Sequence, residues 1–410
     1  MKGRYFEGIR ILDLTMWWSG PLTTSYFGAL GAEVIKIESV QAPDGFRYTS
    51  VKPMEKWWEK GPQWNAANLN KKGLTLNLRD EKGVEVFKEL VKQADVIIEN
   101  FTAKVMKNFG LTYEKLKEIN PEIIMVSMPA YGSTGPMKNS PGFAYTFEIL
   151  SGIAQVNGYE NDNPLIISGV GDVTSGFHTI YSILAALEYR ERTGEGQFIE
   201  IAQVETSIVL LGQPLADLSM NQRVWDRIGN KHPGMAPHGI FRSKGDDSWI
   251  AIAITNDEEW QRFCEVISRP DLMNDERYST IENRYENQDE LTSIIEDWTT
   301  QYTHYEATEI LQQHGIKSGP ALEVEEMEHD PYLGNMFQEI SRELTGTHLF
   351  PSWPVTYDGE RLLHQCPAPT LGQHNEEILK ELLNYTDEQI SELEEADIIG
   401  TVPLNATENL

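Results

Sequence analysis

Strand-length apolar runs alternate with helix-length amphipathic stretches through residues 9–128, and no other feature of the chain restricts its fold as much. The runs at 9–14, 33–38, 74–78, 95–99 and 123–128 read as strands, because they are short, apolar and rich in Ile, Val and Leu. Helical spacing fills 20–30, 80–93 and 113–119 between them. Strands joined through helices pair in parallel, with the helices covering both faces of the sheet. The expected fold class is therefore α/β, with a doubly wound, mostly parallel, Rossmann-like sheet. Such sheets take ligands beyond the C-terminal ends of their strands. Residues 15–19, Ser39, Asn100, Phe101 and 129–132 should therefore converge on one crevice.

At 410 residues the chain exceeds a single average core. Composition changes near Asn221, and residues 229–239 are rich in Gly and Pro, as a mobile loop would be. Beyond them lie a strand pattern at 249–254 and helical patterns at 257–267, 289–301 and 305–314. The expected division is a large α/β domain over 1–224, a smaller inserted α+β domain over 225–325, and a segment over 326–410 that returns to the large domain. Two helices are expected near the end, at 375–383 and 386–394, the second opening at a capping box from Thr386 to Gln389.

The net charge of −29 is unevenly spread. Residues 1–150 hold 19 Lys and Arg against 17 Asp and Glu, whereas residues 251–410 hold 8 against 34. No basic stripe is present, which argues against nucleic acid as a partner. Only Cys264 and Cys366 occur, without metal-ligand or disulfide spacing, which suits a reducing cytoplasm and no bound metal. No apolar run has membrane-spanning length and residues 1–7 lack an apolar signal core, so a cytoplasmic protein without a membrane partner is expected.

The segment from Ser168 to Gly176 places one carboxylate, Asp172, at a glycine-loosened corner before an apolar helix reaching about Arg192. Such a position gives a reactive carboxylate both access and the positive end of a helix dipole, which lowers its pKa. The competing reading is a plain N-cap, with Thr174 or Ser175 as alternative caps.

Five segments together resemble the class III CoA-transferases, the family of formyl-CoA and carnitine CoA-transferases. They are Gly20-Pro21 followed by the run from Gly31 to Glu38, the run from Asn68 to Gly73, the run from Ala94 to Phe101, the run from Tyr131 to Pro136, and Gly171-Asp172 through Gly194-Glu195-Gly196-Gln197. Leu371-Gly372-Gln373-His374 extends the likeness toward the C-terminus. The resemblance implies a homodimer of two interlocked chains. It also implies an enzyme that moves CoA from an acyl-CoA to a small carboxylic acid through Asp172, by way of anhydride and aspartyl-CoA thioester intermediates. No permanently bound cofactor is expected, CoA entering as the thioester substrate.

The CoA site so implied comprises Trp18, Ser19, Ser39, Asn68, Leu69, Asn70, Lys71, Asn100, Phe101, Lys107, Asn108, Phe143 and Ala144. Ser39 and Asn108 stand where members of the family carry Arg, and Ala144 where an acid is usual. Lys36, Arg47, Lys71, Lys104 or Lys107 would then supply the missing charge. The loop 229–239 corresponds to a family lid, on which His232 and His238 are expected to face water. His178 is expected in the core, as are Trp17, Trp57, Trp58 and Trp64, leaving Trp18 as the aromatic candidate for the site.

Three other readings compete. An α-methylacyl-CoA racemase would need a His-acid pair where Gly142-Phe143-Ala144 stands. A dinucleotide-binding enzyme could use Glu38 on a ribose, but no Gly-x-Gly-x-x-Gly opens the first helix. A non-catalytic CoA-binding protein is the third.

Overall fold

The computed structural model describes residues 5–52 and 54–406. Six strands, β1 (Arg10–Asp13), β2 (Glu33–Glu38), β3 (Lys72–Thr75), β4 (Val96–Glu99), β5 (Ile124–Ser127) and β6 (Phe198–Glu200), form one sheet in the order β3-β2-β1-β4-β5-β6. Every pairing is parallel. The α/β expectation holds, and the strand order is that of a doubly wound dinucleotide-type sheet. The order reverses between β1 and β4, so the loops leaving these two strands diverge and open a crevice.

Both faces of the sheet are apolar and covered, as a parallel sheet requires. On one face Leu12, Ile35, Leu74 and Ile97 pack against Phe87 and Leu90 of helix Glu81–Val91. On the other, Ile11, Val34, Ile98 and Val126 meet Phe27 and Ile183. Ile183 belongs to the long helix Val170–Thr193.

The chain divides into two compact units, one holding residues up to Ile153, Ile166–Arg223 and Met336 onward, the other Ala154–Leu165 and Val224–Asn335. In the first unit the final segment knits into the sheet. Ile378, Leu379, Ile390 and Leu393 join the core, and the His374 N–H donates to the Gly73 carbonyl while His374 Nδ1 accepts from Gly73 N, both at 2.9 Å. Edge strand β3 is thereby closed by the Leu371–His374 segment. Strand β3 also ends earlier than its apolar run suggests, because Asn77 N turns away to the Ile398 carbonyl at 2.8 Å. Thr386 caps helix Asp387–Glu395 in the expected capping box with Gln389.

The second unit is a three-stranded antiparallel sheet in the order β7 (His238–Arg242), β8 (Trp249–Ala253), β9 (Lys317–Ala321). Helices Asp257–Val266, Gln288–Thr299 and His304–Gln313 enclose its core of Phe241, Phe263, Ile295 and Leu311. Strand β7 starts inside the Gly- and Pro-rich stretch, so only its first part is a loop. The hairpin of β10 (Phe337–Arg342) and β11 (Gly346–Pro351), in the first unit, had no clear sequence signal.

Candidate active site

The loop leaving β1 is held by buried charge rather than by strand pairing. Asp13, fully buried, accepts Thr15 N at 2.9 Å, the Thr15 and Thr24 hydroxyls at 2.6 Å each, and Lys71 Nζ at 2.9 Å. Burial alone would raise its pKa, but Lys36 and Lys71 outweigh burial and hold it far below the usual range. The same burial brings the Lys71 amine down to about 8, with Asp13 opposing. Lys36 Nζ donates to the Thr15 carbonyl and lies 3.6 Å from Asp44, whose carboxylate accepts Trp17 N at 3.1 Å. Trp17 is thereby kept in the left-handed backbone region at φ +67°, a strained choice for an aromatic residue. From β4, Asn100 reaches across the strand-order reversal, accepting Met16 N at 2.8 Å and donating to the Met16 carbonyl at 2.7 Å.

Asp172 sits in the first turn of the long helix. The helix starts at Val170, ahead of Asp172, with Gly169 at the N-cap in a left-handed conformation, φ +110°. A Cβ on Gly169 would lie 2.5 Å from the Trp18 ring, and one on Gly171 2.3 Å from the Phe147 ring, so both glycines allow close approach. The N-cap reading of Asp172 is therefore corrected. Thr174 and Ser175 do not cap either, since their hydroxyls bond back to the carbonyls of Val170 and Gly171. The orphan amides are met instead by a distant side chain. Glu148, on helix Ala144–Ser151, is fully buried, and its Oε1 accepts Gly169 N at 2.7 Å and Gly171 N at 3.4 Å. Its Oε2 is buried without a hydrogen-bond partner.

This arrangement reverses the expected charge preference of Asp172. Burial first, and then the Glu148 carboxylate, push the Asp172 carboxyl up to about 7. The Ser19 hydroxyl and N–H face it and oppose the shift, although Ser19 Oγ makes no hydrogen bond within ordinary limits. The dipole of the helix start is outweighed, and near neutral pH the group is poised between acid and carboxylate.

Three hollows in the first unit meet end to end. One of 260 Å³ at the strand ends is lined by Ser39, Asn77, Arg79, Phe101 and Val105. It shares Met16 and Phe101 with a narrower one of 180 Å³ that also reaches Asn100, Phe143, Ala144 and Asp172. That channel in turn shares Trp17, Phe143, Ala144 and Asp172 with a third hollow of 700 Å³. Asp172 thus stands between a path from the strand ends and a large cavity.

The structure brings Ser39, Asn100, Phe101, Phe143, Ala144 and Asp172 onto that path, and puts Trp18 and Leu69 on the large cavity. Asn68, Asn70 and Lys71 are buried and engaged inside the fold: Lys71 bonds Asn68, and Asn70 bonds Ser25 and His364. Asn70 and Lys71 border a different hollow, beside Gly28 and His374. Lys107 and Asn108 line an outer cleft of 750 Å³ with Arg79 and Lys88. Of the basic residues considered for the missing charge, Lys36, Arg47 and Lys71 are enclosed, Arg47 being held by Glu38 at 2.7 Å and Glu59 at 3.2 Å. Arg79, which sequence reasoning passed over, lines both the strand-end hollow and the outer cleft. Glu148 was likewise missed as a site residue, while Trp17, in the segment expected at the crevice but with its ring expected in the core, lines both the channel and the large cavity. Trp57, Trp58 and Trp64 are core residues as expected. His178 is instead exposed on the long helix. Among the described residues, no three His, Cys, Asp or Glu side chains group to hold a metal, and no helix is long and apolar enough to cross a membrane.

The doubly wound sheet and the aspartate at a glycine-flanked helix start agree with the resemblance to the class III CoA-transferases. The chain belongs to that family: its model, CoA-transferase family III, matches residues 6–375. The chain is 31% identical to the human succinyl-CoA:glutarate CoA-transferase, over 96% of this chain and 89% of the relative. It is 29% identical to the succinyl-CoA–D-citramalate CoA-transferase of Chloroflexus aurantiacus, over 97% of this chain and 98% of the relative. A CAIB/BAIF family protein from Brucella suis superposes with a TM-score of 0.83 at 28% identity, covering 92% of this chain and 98% of that one. The protein is an enzyme of class III, acting in CoA transfer to a carboxylic acid.

Proposed function

We propose that the enzyme transfers CoA through covalent intermediates on Asp172. The observation that supports this most is the position of Asp172, the one carboxylate shared by the channel and the large cavity. In the ionised form it attacks the donor thioester carbonyl. The C–S bond breaks, CoA leaves as thiolate, and a mixed anhydride remains on Asp172. The thiolate then attacks the aspartyl carbonyl, releasing the donor acid and leaving an aspartyl-CoA thioester. An acceptor carboxylate attacks that thioester to form a new anhydride and free thiolate. Attack of the thiolate on the acceptor acyl carbon gives product and regenerates Asp172. Atoms and charge balance without any redox partner.

CoA itself enters by the strand-end path. Arg79, with Lys107 beside it in the outer cleft, meets the nucleotide phosphates in place of the arginines absent at Ser39 and Asn108. Asn100 and Phe101 guide the pantetheine arm toward Asp172. A homodimer is supported by large apolar side chains left exposed on helices of the first unit, among them Ile149, Leu150, Phe177, Tyr181, Val209 and Met220, Tyr181 by 76% and Met220 by 79%. Two free cysteines suit a cytoplasmic setting.

Mass spectrometry of the intact protein incubated with acyl-CoAs, then hydroxylamine trapping and peptide mapping, tests the chemistry. An adduct on the peptide containing Asp172 is expected. Bound CoA without any adduct, or exchange retained by Asp172→Ala, would overturn it. Sedimentation analysis tests the dimer.

A further inference from the structure

We infer that the 700 Å³ cavity beyond Asp172 receives the acyl group and selects hydrophobic monocarboxylic acids, aromatic or branched, over dicarboxylic ones. This rests on the covalent reading of Asp172 and on CoA entering from the strand ends. With the thiol arriving through the 180 Å³ channel, the acyl carbon lies at Asp172 and its substituent must extend to the other side. The large cavity lies on that side, sharing Trp17, Phe143, Ala144 and Asp172 with the channel. Its volume is typical of a site for a small organic ligand.

The walls are largely aromatic and aliphatic, supplied by Trp18, Leu22, Phe46, Tyr145, Phe350 and Trp353, with Thr49, Gln63 and Ser168 among the neutral polar groups. Among the described residues no lysine or arginine lines the cavity, and Asp172 is its only carboxylate. His364, the histidine on the wall, is already engaged on both nitrogens. Nδ1 meets the Asn70 amide and Nε2 the Pro351 carbonyl, each at 3.0 Å, and burial lowers its pKa toward the neutral ring. The buried cations Arg47 and Lys71 are already paired, Arg47 with Glu38 and Glu59 and Lys71 with Asp13. A second carboxylate brought into this cavity would meet no counter-charge among the described residues of this chain, beside an aspartate that already resists ionisation. A phenyl or branched alkyl group would instead exchange water for aromatic surface. The relatives named for succinyl-CoA with glutarate or D-citramalate handle acids of the opposite kind.

The test compares kcat/KM of the full-length protein for phenylacetyl-CoA, isovaleryl-CoA and succinyl-CoA, with acetate as common acceptor and Asp172 adduct formation followed by intact mass. Phenylacetyl-CoA or isovaleryl-CoA is expected to exceed succinyl-CoA by on the order of 100-fold. Succinyl-CoA equal to or better than both would overturn the inference while leaving the covalent reading intact. Adducts from no donor would overturn the covalent reading beneath it. Phe350→Arg, on the hairpin wall, is expected to move the ratio at least tenfold toward succinyl-CoA. An unchanged ratio in a folded variant would show that the cavity does not hold the acyl group.

Discussion

Glu148 Oε1 accepts the N–H of Gly169 at 2.7 Å, so a carboxylate from one helix closes the start of another, the one that carries Asp172. The same carboxylate raises the pKa of Asp172. Capping and charge repulsion therefore come from one side chain and can be separated by mutation. Glu148→Gln keeps an oxygen for the two glycine amides and removes the charge. The pH midpoint of Asp172 acylation is expected to fall by roughly one unit, with the fold retained. Glu148→Ala removes both and should destabilise by about 1–2 kcal/mol, as loss of a helix cap does. Acylation rates against pH, with a urea melt for each variant, check both.

In the wild type, acylation should rise with pH through about 7, as Asp172 ionises. A flat profile from pH 5.5 to 8.5 would show that the carboxyl is not poised as the structure holds it.

The same shift affects stability. The folded pKa of Asp172 is raised from 3.8 to about 7, so between those values the native state binds more protons than the unfolded chain. Stability therefore falls as pH rises through that window. Asp172→Asn removes this effect, and at pH 8 it should stabilise by on the order of 1–2 kcal/mol relative to wild type, after allowance for partial exposure. At pH 4 the two should differ little. Thermal denaturation at the two pH values checks the sign.

Arg79→Ala should raise KM for acyl-CoA about tenfold, leave KM for the acceptor acid unchanged, and weaken the salt dependence of CoA binding. An unchanged KM would remove Arg79 from the CoA path.

Lys71→Met should cost about 3–5 kcal/mol, because Asp13 would lose its 2.9 Å partner while remaining buried. The combined variant Asp13→Asn with Lys71→Met should recover part of this in a denaturant melt.

Much of this architecture was legible because parallel strands are written locally. The apolar runs marked β1, β2, β4 and β5 to within a residue or two, and the glycines around Asp172 marked a corner. What escaped depends on contacts made over long separations. Strand β3 ends where Asn77 bonds Ile398, and nothing in the run at 74–78 announces that partner. The long helix begins at Val170 because Glu148, twenty-four residues before Asp172, satisfies its amides. Asn68, Asn70 and Lys71 carried the family likeness, yet their side chains face inward to Asp13, Ser25 and His364. Their effect on the site is exerted through the loop after β1.

The hairpin Phe337–Pro351 supplies Phe350 and Pro351 to the large cavity, whereas the strand-end hollow proposed to admit CoA is lined from the first 110 residues. If CoA and the acyl group bind as proposed, the handle common to every donor and part of the wall that meets its variable part are encoded far apart in the chain. Substitutions in the hairpin would then change which acids are accepted while the grip on CoA and the setting of Asp172 stay as they are. A lineage of such enzymes can therefore diversify its acids without re-evolving its chemistry.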